Sequence, residues 1–179
     1  MELKNRQDLA KYFATLNFKT GAEIGVAQGV FSEVFCQSIP GLKLYCVDPW
    51  LRDQNKKPTD YEVAQEKLKP YGCTLIKDFS VEASKQFKDG SLDFVYIDAN
   101  HYYDYVMMDL LCWVRKVKHG GIVAGHDYFL SKRPGSSLSV VQAVDAYTKF
   151  YNIKVNVIPG NREAPSYAEK HPNFWWRRE

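Results

Sequence analysis

Residues 96–104 read "YIDANHYYD", which sets a carboxylate, Asp98, and an imidazole, His101, three positions apart behind the apolar run "LDFVYI". An imidazole with an ordinary pKa of about 6.5 can take up a proton near neutral pH. A second pair, His126-Asp127, closes the apolar run "GGIVAG". If the two runs are neighbouring strands about 4.8 Å apart, Asp98 and Asp127 can converge on one ligand. Two carboxylates with water and substrate oxygens suit Mg²⁺, whereas an added imidazole from His126 or His101 favours Mn²⁺, Fe²⁺ or Zn²⁺. The alternative is that Asp98 and Asp127 orient a cofactor or cap helices without metal. His126 is ambiguous for a further reason, because strand alternation points its side chain away from the face of Asp127. His119, read at a helix end, and His171, in a polar stretch, are taken as structural or solvated.

Other chemistry-bearing residues follow the same rule of lying just past an apolar run. "AEIGVAQGVFS" places Gly25 and Gly29 around a tight bend, where a ligand can approach backbone that carries no Cβ. A dinucleotide fingerprint would put a central glycine where Ala27 stands, so the bend suits a nucleoside without pyrophosphate better and disfavours an NAD-dependent oxidoreductase. Asp48 ends the run "KLYCVD", placed to accept hydrogen bonds from a ribose diol. "LIKDFS" ends on Asp78, Phe79 and Ser80, which are equipped to hold an adenine by its amine and one face, or else to cap the helix that follows.

The elements that would position these residues alternate from end to end. Strands are expected at "AEIGV", "KLYCVD", "CTLIK", "LDFVYID", "GGIVAGHD" and "IKVNVI", several of them apolar throughout, as when helices cover both faces of a parallel sheet. Helices are expected at "RQDLAKYFATL", near Phe31, near Tyr61 with an end at Pro70 and Gly72, near Val81, and at "SVVQAVDAYTKFY". One more is expected to run from Tyr105 through Val117, stopped by Gly120-Gly121. "NFWWRR" reads as a last strand. The polar stretches "LRDQNKKPTD" and "FLSKRPGSSLS" are either walls of the ligand site or plain surface loops.

At 179 residues, with 45% hydrophobic side chains and a net charge of +3 from 24 basic and 21 acidic residues, the chain fits one domain and lacks the footprint of a dedicated nucleic-acid binder. Residues 1–19 read as a helical cap or an oligomer contact, the latter implying a homodimer. The charged N-terminus and the absence of a long apolar run argue against a signal peptide or membrane span and for a cytoplasmic location. Cys36, Cys46, Cys73 and Cys112 are scattered singly and suggest buried thiols.

Together, "AEIGVAQGVFS", "VDPW", "KDFS", "YIDANHYYDYVMMDLLCWV", "GGIVAGHDY" and "FWWRR" resemble the class I S-adenosylmethionine-dependent methyltransferases, most of all a small bacterial group of the macrocin O-methyltransferase type. The resemblance runs from Thr20 to Asp127, with weaker agreement beyond. It implies an α/β, Rossmann-like, doubly wound sheet of seven strands in the order 3-2-1-4-5-7-6, with strand 7 antiparallel. It also implies S-adenosylmethionine as cofactor. Glu23, Gly25, Val26 and Gly29 would line its methionine and ribose part, Ser32 its carboxylate, Asp48 the ribose hydroxyls, and Asp78 to Ser80 the adenine. Metal-dependent relatives carry an aspartate in the place of Asp98 and a consecutive Asp-Asp where this chain has His126-Asp127.

The expected activity is methylation of a small hydroxylated acceptor such as a sugar or phenol, with His101 as base, Asp98 beside it, and a cation on Asp98, His126 and Asp127 if metal is used. Trp50, Tyr102, Tyr103 and Tyr128 could form an aromatic rim. N-methylation and a cofactor-binding module without catalysis are the rivals. A nucleic-acid acceptor is disfavoured, since "DANH" stands where an Asn/Asp-Pro-Pro-Tyr tetrapeptide would mark one.

Overall fold

The computed structural model describes residues 3–51, 58–130, 139–161, 163–164 and 168–179. Its strands are β1 (Thr20–Ile24), β2 (Lys43–Val47), β3 (Thr74–Ile76), β4 (Leu92–Ile97), β5 (Val117–Gly125), β6 (Asn156–Ile158) and β7 (Asn173–Arg177). They form one sheet in the order β3-β2-β1-β4-β5-β7-β6. β1 to β5 pair in parallel, and β7 lies antiparallel to both β5 and β6. This is the order that the sequence motifs imply.

The helices are α1 (Arg6–Thr15), α2 (Val30–Ser38), α3 (Asp60–Leu68), α4 (Ser80–Ser84), α5 (Tyr103–Trp113) and α6 (Val140–Phe150). They cover both sheet faces, which is why the central strands are apolar on both sides. On one face Phe94 and Tyr96 of β4 pack with Leu9 and Phe13 of α1 and with Phe31 and Phe35 of α2. The Phe13 and Phe94 rings lie 4.7 Å apart, and Phe31 and Tyr96 4.6 Å. On the other face Val95 and Ile97 pack with Leu110 and Trp113 of α5, Val144 of α6 and Trp176 of β7. α1, in the segment expected as a cap or contact, thus belongs to a core layer: Leu9, Ala10 and Phe13 are fully buried.

The helix expected from Tyr105 to Val117 is shorter than its periodicity suggests. α5 ends at Trp113, a 3₁₀ turn covers Val114–Lys116, and β5 begins at Val117. His119 and both glycines therefore lie in the strand rather than at a helix end. Lys116 donates to the Phe87 carbonyl and to Asp89, which holds the chain to the start of β4. A Cβ on Gly121 would stand 2.4 Å from the Asp93 carbonyl oxygen, so the glycine permits close approach of β5 to β4 beside a register irregularity between Leu92 and Phe94. The helix expected near Tyr61 is α3, where Thr59 and Glu62 form a reciprocal cap and Gly72 ends the following turn at φ +65°. Most of "LRDQNKKPTD" and of "FLSKRPGSSLS" lies outside the described residues.

Candidate active site at the carboxyl edge of the sheet

The registers Val47↔Ile24, Ile24↔Ile97 and Ile97↔Gly125 line up the ends of β2, β1, β4 and β5. Ladder hydrogen bonds continue one residue further, from Asp48 N to Ile76 O, Gly25 N to Val47 O, Asp98 N to Ile24 O and His126 N to Ile97 O. Asp48, Gly25, Asp98 and His126 thus stand in one row on the edge where open α/β sheets hold ligands.

Gly25 has φ +89°, and a Cβ there would fall 2.1 Å from the Asp98 carbonyl oxygen. The bend can lie against the Asp98 backbone only because residue 25 is glycine. Asp48 braces the bend from the other side: one carboxylate oxygen accepts from the N–H groups of Val26 and Ala27 at 2.9 and 3.0 Å, the other from Trp50 N at 2.7 Å. The Trp50 indole donates to the Ala27 carbonyl at 2.8 Å. Trp50 is buried against Tyr61, so it supports the bend and is not part of an aromatic rim. Tyr102 and Tyr103 are exposed, and the Tyr128 hydroxyl donates to Asp145 at 2.5 Å.

Two of the expected cofactor contacts face inward. Ser32 is fully buried and its hydroxyl donates to Glu23, itself only 2% exposed. Burial pushes the Glu23 carboxyl up to about 8; the Ser32 hydrogen bond opposes this without overcoming it. At the end of β3, Phe79 is 59% exposed, and Asp78 accepts from the Phe79 N–H. The Ser80 hydroxyl is turned to α5, donating to Asp109 and accepting from the Trp113 indole at 2.8 Å. No side chain caps α4.

The acid–imidazole cluster gathers more tightly than strand alternation predicts. His101 Nε2 lies 3.5 Å from Asp98 Oδ1 and 3.1 Å from Asp127 Oδ2. His126 Nδ1 lies 3.3 Å from the same Asp127 oxygen and 3.7 Å from Asp98. The expectation that His126 and Asp127 point to opposite faces fails for a local reason: Asp127 adopts φ +57°, a left-handed turn that breaks the alternation and swings its carboxylate beside His126. Such strain in a non-glycine residue marks a position held by its surroundings.

A fifth member is His171, whose Nδ1 stands 2.7 Å from Asp127 Oδ1. Its ring meets Phe129 edge-on at 4.3 Å. The sequence alone reads this histidine as structural or solvated. The available signal was its place two residues before β7, a strand expected to return beside β5.

Burial alone would raise the pKa of Asp127, but the hydrogen bond from His126 and the charges of the three imidazoles hold it below the ordinary carboxylate value. The hydrogen bond with Asp98 raises His101 above the ordinary imidazole value, against the opposing effect of burial. His101 has the most accessible side chain of the five, 30% exposed. Asp98, His101 and Asp127 offer ligand atoms all within 4.8 Å of one another, a two-carboxylate, one-imidazole set that fits a divalent transition metal better than Mg²⁺. Among the described residues no helix is long and apolar enough to cross a membrane.

Known proteins share this fold. A family profile described as a methyltransferase domain matches residues 22–128, the span from the glycine bend to the acid–imidazole cluster. No curated protein sequence matches the chain. Among solved structures, cofactor-bound Rv0187 from MTB superposes with a TM-score of 0.72 at 13% identity, covering 97% of this chain and 79% of that one. A protein provisionally named an rRNA methylase from Clostridium thermocellum gives 0.70 at 13% identity over 100% of both chains. An O-methyltransferase from Bacillus cereus, solved with SAH, gives 0.64 at 12% identity over 96% of this chain and 80% of that one.

Proposed function

This chain belongs to the methyltransferase-domain family, and from that premise we propose that it transfers the methyl group of S-adenosylmethionine to a hydroxyl of a small acceptor, with His101 as general base. The observation that carries the choice of a hydroxyl is the His101 imidazole set between two carboxylates at the open end of β4 and β5. An alcohol or phenol must lose a proton to become a good nucleophile, whereas a neutral amine need not.

S-adenosylmethionine supplies an electrophilic methyl group on a sulfonium. The chain's part is alignment and the handling of one proton. The bend Gly25–Gly29 borders the row of strand ends where open α/β sheets hold a nucleoside. The Asp48 carboxylate, with lone pairs beyond those given to the bend, suits the ribose hydroxyls, and the open Phe79 ring with Asp78 suits the adenine. Ser32 and Glu23 hold each other in the buried interior. Asp98 and Asp127 hold the Nε2 side of the His101 ring, so Nδ1 takes the acceptor proton and the two carboxylates stabilise the imidazolium that forms. The small-molecule acceptor is supported by low net charge and by "DANH" after β4; the macrocin-type likeness rests on the motifs.

A metal-assisted reading is favoured by one observation, the fit of Asp98, His101 and Asp127 to a single cation, with His126 beside them. A bound cation would lower the pKa of the acceptor hydroxyl, and His101 would then be a ligand rather than the base.

Labelled S-adenosylmethionine offered with phenols, sugars, amines and ribosomal RNA, in chelator or with Mn²⁺, tests these alternatives. The expected outcome is transfer to a hydroxyl and a His101→Ala variant that binds S-adenosylhomocysteine normally but turns over about 10²–10⁴-fold more slowly. Wild-type turnover by that variant removes the base. Cofactor binding with no transfer to any acceptor favours a binding module, and activity lost in chelator and restored by Mn²⁺ favours the metal.

A further inference from the structure

We propose that Cys36 and Cys73 form an oxidation site, a thiol pair at the β3 side of the sheet that closes to a disulfide when a peroxide reaches it. Cys36 lies on α2 and Cys73 directly before β3, and their sulfurs are 3.4 Å apart. A disulfide requires about 2.05 Å, so closure asks for a small side-chain movement of each residue.

The two thiols differ in the way such a pair requires. Cys73 is half-buried and borders a cavity of about 530 Å³ walled by Tyr61, Glu62, Gln65, Leu68 and Leu75, which gives a small oxidant access. The contact with the Cys36 thiol holds Cys73 below the ordinary thiol pKa, while the same contact and burial raise Cys36. Cys73, the more accessible of the two sulfurs, is therefore the first to react. Cys36, nearly enclosed, is the resolving thiol. Cys46 is fully buried and its thiol contacts Ser32 at 3.5 Å. Cys112 packs on the opposite face of the sheet.

The Cys73 thiolate attacks one peroxide oxygen, the O–O bond breaks, and the leaving oxygen departs as water or an alcohol once protonated, giving a sulfenic acid. The Cys36 sulfur then attacks the sulfenic sulfur. The S–S bond forms, the S–O bond breaks, and the hydroxide leaves as water with the proton of Cys36. Two thiols lose two electrons in total and the peroxide gains them. The product ties α2, the helix that follows the glycine bend, to the strand whose far end presents Asp78.

Hydrogen peroxide added to the full chain, followed by alkylation and peptide mass spectrometry, tests the site. The free-thiol count is expected to fall by two of four, with a Cys36–Cys73 linked peptide that dithiothreitol reverses. In Cys36→Ser the link is lost and dimedone captures Cys73 as its sulfenic acid. The reversal by dithiothreitol stands on the wild-type protein alone should that variant fail to fold. Oxidation of Cys46 or Cys112 ahead of Cys73, over-oxidation of Cys73 without a link, or no reaction at peroxide levels that oxidise a free cysteine would overturn the proposal.

Discussion

The carboxyl of Glu23, on β1, is almost wholly shielded from water, with the Ser32 hydroxyl as its donor. Its pKa of about 8 against an ordinary 4.5 means that the folded chain holds this proton more tightly than the unfolded chain does. The sign follows from linkage: stability is greatest below about pH 4.5 and falls as the pH climbs through 8, because ionising a buried carboxyl costs free energy. Glu23→Gln removes that titration. Urea unfolding at pH 6 and pH 9 should show the variant gaining on the wild type by a few kcal/mol over this range, at about 1.4 kcal/mol per pKa unit; a constant difference would show Glu23 to be ionised in the fold. At this scale Asp98, His101 and Asp127 were legible because each closes or shortly follows an apolar run. The turn at Asp127 was not, since nothing in "AGHDYF" marks a left-handed aspartate. His171 was not either, because it lies 44 residues from Asp127 and reaches it only once β7 is in place.

α4 and α5 show how an element can absorb a residue that the sequence offers to a ligand. "KDFS" suits an adenine, yet the Ser80 hydroxyl is fixed between Asp109 and Trp113 of α5. Burial raises Asp109 to about 6, and the Ser80 hydrogen bond tempers that rise. Ser80→Ala is expected to cost about 1–3 kcal/mol in urea unfolding, since it leaves two buried polar groups without a partner. Affinity for S-adenosylhomocysteine, measured by calorimetry, should stay near wild type. A large loss of affinity with unchanged stability would return Ser80 to the cofactor. The same scale explains the misread end of α5: the periodic apolar residues Val114 and Val117 continue a helical pattern, but Val117 is buried as the first residue of β5. Periodicity over so few residues does not separate the two, and the glycines that looked like a helix stop serve the close β4–β5 approach.

Across the whole molecule, strand order was legible because alternating apolar runs and helices permit few topologies, and the motif order selected one of them. What the pattern could not show is how the C-terminal strand joins the site to the core. Tyr96, on the face covered by α1 and α2, is fully buried and donates to Asn173 at 2.6 Å, while the Asn173 amide donates to the His171 carbonyl at 3.4 Å. One asparagine at the start of β7 therefore connects the central strand, the antiparallel return and the imidazole beside Asp127. Asn173→Ala leaves the Tyr96 hydroxyl without that acceptor in a buried setting, a loss of about 1–3 kcal/mol. At about 2–4 °C per kcal/mol for a chain of this size, the melting temperature should fall by several degrees. Methyl transfer should fall with it at temperatures where the variant is fully folded, because His171 loses its backbone tether, while the affinity for S-adenosylhomocysteine holds, since no part of this connection touches the glycine bend. A variant that melts early but turns over at the wild-type rate would show that the return strand supports the fold without positioning the cluster.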